Sequence, residues 1–207
     1  MGRREARREQ RRTEIEGAAL QIVRSEGLDA LTMPGLAKEL GCAVGGLYRY
    51  YDGKEALLVA LQLRALAAFD RSLQHELSDG DDRPPLQRLR AAMGSWGRFM
   101  VEEPALYELL QLSVAHPAVL LSDASAAEVA TRSAPMVQRC AELLEQAVEL
   151  GQLRPGDAEA RVWVMWGAVN GLGQLRKQDA RRPPHLSADR LVSLALDSLI
   201  DGWTAPS

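Results

Sequence analysis

Thr32-Met-Pro-Gly-Leu-Ala-Lys-Glu-Leu-Gly41-Cys-Ala-Val-Gly-Gly-Leu-Tyr-Arg-Tyr-Tyr51 decides how this chain is read. Thr32 ahead of Met33 and Pro34 marks a helix start: a hydroxyl that caps free N–H groups, then a proline whose missing N–H is harmless in the first turn. Gly41 ends this short helix, over about 33–40, and a second covers about 44–50 before the turn Asp52-Gly53. Ala37 is the small residue where the two helices must touch, and Gly41, four positions later, tolerates positive φ. Leu36, Leu40, Cys42, Leu47 and Tyr50 fall at positions expected to point inward. This is the spacing of a helix-turn-helix.

The flanks are helical too. A first helix runs from the Arg cluster to Glu26, with Ile15, Ala19, Ile22 and Val23 on one face, and stops at Gly27. A long one starts near Lys54 and reaches about Leu77, and Ser78 to Pro85 is a loop. Leu86, Leu89, Met93, Trp96 and Met100 keep helical spacing up to Glu103-Pro104. A shorter helix covers about 105–114 before His116-Pro117, and Met136, Cys140, Leu143, Leu144, Ala147 and Val148 define another that ends at Gly151. Two more follow, over about 157–178 and 188–203. Residues 117–134 are small, polar and weakly periodic, and receive no element. The fold class is all-α with about nine to ten helices.

Composition agrees. Of 207 residues 46% are apolar and only 5% aromatic, against an all-β sandwich or barrel. No run approaches the ~18 apolar residues of a membrane span, and the Arg-rich start is no secretory signal. Cys42 and Cys140 cannot build a disulfide framework and suit a reducing compartment. The expectation is a soluble cytoplasmic protein. Its net charge of −3 hides a gradient. Residues 1–12 carry six Arg against two Glu, whereas residues 58–207 carry 15 basic and 19 acidic residues. A basic end suits a polyanion, although a solvated terminus would look the same.

Thr32-Met33-Pro34-Gly35-Leu36-Ala37, Gly41, Leu47-Tyr48-Arg49-Tyr50-Tyr51 and Lys54-Glu55-Ala56-Leu57 together resemble the N-terminal domain of TetR-family transcriptional regulators. The resemblance is strong over about 12–60 and rests on helix number and length beyond. Trp166-Gly-Ala-Val-Asn170-Gly171 is similar to the Trp-x-x-x-His-Gly signature of an AcrR-like branch, with Asn170 where His is usual. The resemblance implies an N-terminal DNA-binding domain, 1–53, with an Arg-rich arm, and a ligand-binding and dimerisation domain, 54–207. It implies a homodimeric repressor released from an operator by a small hydrophobic or aromatic molecule.

The residues fit that implication. A short second helix can enter a major groove with Ala43, Val44, Gly45 and Gly46 leading. By analogy with the family, Tyr48 and Arg49 meet phosphate or base edges. Thr32 and Lys54, at helix starts, face phosphates. Arg7, Arg8, Arg11 and Arg12 follow the backbone or enter the minor groove. Family members often carry Ser at position 43 and a basic or hydroxyl residue at 44 or 46, so polar base readers are few here. Tyr50 is read as packing.

Val162 to Val169 is apolar all round, and Leu191, Val192, Leu194, Ala195, Leu196, Leu199, Ile200 and Trp203 cover more than half a turn. Such helices are buried on two sides, most simply by a second subunit, with Gly167, Gly171 and Gly173 permitting close approach. A ligand cavity is expected among Phe69, Met93, Trp96, Met100, Tyr107, Leu110, Met136, Cys140, Trp163, Trp166 and Asn170, with His116 behind. No cofactor or metal is expected, since His75, His116 and His185 lack ligand spacing. An all-α enzyme is disfavoured because no phosphate-cradling loop or nucleophile elbow occurs. A helical interaction adaptor would explain the last two helices and leave the N-terminal motif idle.

Overall fold

The computed structural model describes residues 2–77, 82–113 and 121–204. His116-Pro117 and residues 78–81 of the loop ahead of Pro85 lie outside them. Among the described residues the chain is helical, with one isolated bridge, Leu153 to Thr204, and no strand. The α-helices are α1 (Arg3–Glu26), α2 (Met33–Glu39), α3 (Val44–Tyr48), α4 (Lys54–Glu76), α5 (Pro85–Glu102), α6 (Pro104–Leu110), α7 (Asp123–Glu149), α8 (Ala158–Gly173) and α9 (Ala188–Trp203).

The first helix takes in the Arg cluster, as its sequence implies: without Pro, Gly or β-branched residues between Arg3 and Thr13, the segment keeps its propensity and forms the first turns of α1. Two elements depart from the sequence reading. Much of 117–134 belongs to α7, which starts at Asp123 and tolerates Pro135 in its interior. Its Ala-rich start is helix-forming but lacks an apolar stripe, so periodicity alone misses it. The helix expected over 157–178 is α-helical only to Gly173 and continues as a 3₁₀ segment, Gln174–Arg181.

Two compact units divide the chain, Met1–Ala67 with Glu103–Arg132, and Ala68–Glu102 with Ser133–Ser207. The division falls inside α4 and α7. In the first unit, Ile15, Ala19 and Val23 of α1 join Leu28, Leu31, Leu36, Leu47, Leu57 and Leu61 in the core. Gln62, wholly buried, donates through Nε2 to the Leu109 carbonyl at 2.9 Å and so ties α4 to α6.

In the second unit, Leu89, Met93 and Phe99 of α5 are buried, as are Leu144 and Ala147 of α7 and Met165 and Ile200 of the last two helices. Phe69, Trp96, Phe99 and Trp166 pack ring against ring, with centroids 4.8 Å apart for Phe69–Trp96, 5.4 Å for Phe69–Phe99 and 5.9 Å for Trp96–Trp166. Such pairs contribute about 0.5–1.5 kcal/mol each beyond the area they bury. Among the described residues no helix is long and apolar enough to cross a membrane.

Candidate nucleic-acid interface

The α2–α3 turn is fixed by its own sequence. Thr32 caps α2, its Oγ1 accepting from the Gly35 N–H at 3.1 Å. At the other end Gly41 takes φ +61°, the left-handed region. The Cys42 N–H then reaches back to the Ala37 carbonyl at 2.9 Å and the Gly41 N–H to that of Lys38 at 3.1 Å. These two reversed bonds form a Schellman closure, which stops α2 and swings the chain into α3. Leu36, Ala37 and Leu47 are buried under the crossing, so the angle between the helices is set by core contacts. Leu40, Cys42 and Tyr50 are only half-buried. Tyr51 packs more deeply than Tyr50: it is 3% exposed, with its N–H bonded to the Leu47 carbonyl at 3.1 Å.

Tyr51 is the hub of a polar cluster that braces this head. Its hydroxyl donates to Glu16 of α1 at 2.6 Å, and the Arg12 guanidinium lies 5.1 Å from its ring centroid. Arg64 of α4 approaches the other Glu16 oxygen at 3.9 Å. Burial and the bond to Glu16 push the Tyr51 phenol up to about 12. The sequence reading missed Glu16 and Arg64; the signal available was a single acidic residue on the apolar side of the first helix.

The outer surface is different in character. Ala43, Gly45, Tyr48 and Arg49 are exposed, Val44 and Gly46 half-exposed, and a Cβ built on either glycine meets nothing within 4 Å. Thr32 is exposed and Lys54 half-exposed at the start of α4. Of the four candidate arginines, Arg11 is paired with Glu14 at 2.8 Å and Arg12 is engaged by Tyr51, whereas Arg7 and Arg8 are exposed and have no ion-pair partner among the described residues. A smooth, backbone-rich wedge between cationic groups is suited to a groove lined by phosphates.

The ligand candidates are spread over both units. Tyr107 and Leu110 are buried in the first, on α6. Phe69, Met93, Trp96, Met136 and Cys140 are buried in the second, and Met100, Trp166 and Asn170 are half-buried there. Trp163 points outward at 48% exposure. None of the eleven lines the cavity of about 410 Å³ that the second unit holds between α5, α8 and α9. Among the described residues no group of His, Cys, Asp and Glu could hold a metal ion.

A buried two-helix crossing behind an exposed, cation-flanked second helix defines a helix-turn-helix protein. Residues 15–61 match the family model of bacterial regulatory proteins of the tetR family, and residues 89–199 match that of the tetracyclin repressor-like C-terminal domain. The chain therefore belongs to the TetR family of DNA-binding transcriptional regulators. It is 36% identical over 123 residues to the HTH-type transcriptional repressor KstR of Mycolicibacterium smegmatis, a match that covers 59% of this chain and 56% of that one. The chain thus spans about half the length of the curated relatives it matches. Two solved structures share the fold. One is the TetR family transcriptional regulator PfmR from Thermus thermophilus, with TM-score 0.65 and 21% identity, covering 90% of this chain and 97% of that one. The other is AibR in complex with isovaleryl coenzyme A and operator DNA, with TM-score 0.68 and 21% identity, covering 95% and 100%.

Proposed function

We propose that the protein is a homodimeric repressor that reads an operator through α3 and leaves it when a small molecule binds its C-terminal part. The observation that carries the reading is the exposed face of α3, Ala43 to Arg49, seated on buried Leu36 and Leu47. In this reading Arg7, Arg8, Thr32 and Lys54 hold phosphates, Arg11 and Arg12 add charge behind them, and Tyr48 and Arg49 reach base edges or backbone. Val44 and Ala43 touch thymine methyls, which suits a head with few polar readers.

Dimerisation through α8 and α9 is supported by what their outer faces expose. Trp163, Val164 and Leu194 are 48%, 50% and 61% exposed, while Val162, Met165, Val169, Leu196 and Ile200 on the same helices are buried. Gly167 and Gly171 leave open space beside that outer face. Gly173 does not, because Met100 already fills the position its Cβ would take. Two heads held this way would address half-sites about 34–36 Å apart or somewhat more.

The test is an electrophoretic shift of duplex fragments from the upstream region over a salt series, with sedimentation of the free protein. A dimer that binds one fragment, with affinity falling steeply as salt rises, supports the reading. A monomer that ignores all duplexes at low salt overturns it.

A further inference from the structure

The α5–α8–α9 cavity has a chemistry of its own. Val101 of α5, Val169 of α8, and Val192 and Leu196 of α9 give it an aliphatic side, while Glu102, Asp189 and Ser193 share the lining. Three guanidinium groups, Arg90, Arg98 and Arg176, also line it. Two of them lie close over the α5 backbone: a Cβ on Gly94 would stand 3.5 Å from Arg98 Nη1, and one on Gly97 would stand 3.9 Å from Arg176 Nη2. At about 410 Å³ the space falls within the range of small-molecule sites.

The arginines are unequally satisfied. Arg90 pairs with Asp197, Arg98 with Glu76 and Arg176 with Asp189. Asp189 is 74% exposed at its side chain while Arg176 is 29% exposed, and Arg176 Nε is buried without a hydrogen-bond partner. Arg176 is thus a cation set into the wall whose counter-ion stands mostly in water. A guest carboxylate can take the place of Asp189, and Asp189 regains full hydration when it leaves. Bidentate recognition of a carboxylate is what a guanidinium does best.

We propose that this cavity binds an amphipathic carboxylate, its headgroup on Arg176 and its alkyl part along Val101, Val192 and Leu196. The inference rests on the reading of the protein as an effector-controlled regulator, and names the class of effector and its place.

Calorimetric titration of the full-length protein with octanoate, dodecanoate and hexadecanoate, and with 1-dodecanol as the uncharged control, tests this without DNA. At least one acid is expected to bind saturably, and the alcohol at least tenfold more weakly. Arg176→Gln should weaken the acid at least tenfold. Asp189→Asn, at an exposed position that leaves the core untouched, should tighten it severalfold by removing the competitor. Gly97→Leu should block the slot. No saturable binding of any acid, or equal binding by Asp189→Asn and the parent protein, overturns the proposal. A separate operator shift with the bound acid tells the two ideas apart. Binding that follows these variants but leaves operator affinity unchanged refutes release by this ligand and leaves the site standing.

Discussion

The Glu55 carboxylate accepts the Ser122 backbone N–H and the Ser125 hydroxyl, each at 2.7 Å, so the first turn of α4 caps the start of α7. Ser122 itself accepts from the Ser125 N–H at 3.3 Å, and the three residues form a closed polar knot. Glu55 follows Lys54, so the knot sits one residue from a proposed phosphate contact. These bonds to the ionised form draw the Glu55 carboxyl down from 4.5 to about 2. A depressed carboxyl stabilises the fold above its unfolded pKa, and that contribution fades as pH falls from about 4.5 toward 2. Glu55→Gln is therefore expected to lower Tm at neutral pH, with the gap to the parent protein closing as the solution is acidified. Thermal melts at several pH values across that window check it, and a gap that stays constant would show that Glu55 acts by shape alone.

The Tyr51 hydroxyl gives a second titration of opposite sense. Its folded pKa is raised from 10.0 to about 12, so the neutral phenol stabilises fully below pH 10 and the benefit is lost as pH climbs toward 12. Tyr51→Phe removes a hydrogen bond to the charged Glu16, a change worth about 1.5–3 kcal/mol. Denaturant unfolding at pH 8 should show that loss, and the alkaline decline between 10 and 12 should shrink in the variant.

The turn between α2 and α3 supplies a pair of independent stability tests. Thr32→Ala deletes the cap on Gly35 and should cost about 1 kcal/mol. Gly41→Ala keeps the chain in the left-handed region with a Cβ attached and should cost about 1–2 kcal/mol. Both are read by urea unfolding. A neutral Gly41→Ala would mean that the Schellman closure does not form in solution.

How far sequence alone reached depends on what carried the signal. The α2–α3 motif was legible because caps, a positive-φ glycine and a small contact residue are local requirements, each tied to one residue type. The bounds of α9, Ala188–Trp203, were legible because its apolar residues recur so densely. The first half of α7 was not, since Ala124, Ala126, Ala127 and Ala130 favour a helix without marking a face. Nor was the deeper packing of Tyr51 than of Tyr50, which depends on where α3 ends. Phe69 and Trp96, expected in a ligand cavity, are buried ring against ring, and side-chain type alone does not tell a core aromatic from a lining one. The guanidinium-lined slot escaped because its parts come from α5, α9 and the 3₁₀ segment, far apart in the chain.

The two cysteines differ in a way a thiol reagent can read. Cys140 is 3% exposed, and burial pushes its thiol up to about 12 despite Arg139 beside it. Cys42 is half-buried on the α2–α3 turn. The reactive thiolate is scarce at Cys140 and its surface closed, so a chromogenic disulfide at pH 8 should label one thiol per chain quickly. The second should follow only as the second unit opens or on adding denaturant. Mass mapping that finds Cys140 modified first would contradict the packing around it.

Leu194 provides the last and most decisive variant. At 61% exposure it makes little contact within its own chain, so replacing it should leave the monomer's core as it is. If α8 and α9 meet a second copy, Leu194→Lys places a charge in an apolar contact, where an unpaired ion costs several kcal/mol. Two symmetry-related lysines would do so twice, since a two-fold interface repeats every residue. The expected outcome is a folded monomer, with unchanged helical circular dichroism, half the sedimenting mass, and operator affinity reduced by orders of magnitude because one head alone makes half the contacts. A variant that remains dimeric with unaltered affinity would show that the exposed row of Trp163, Val164 and Leu194 is not where the two chains join.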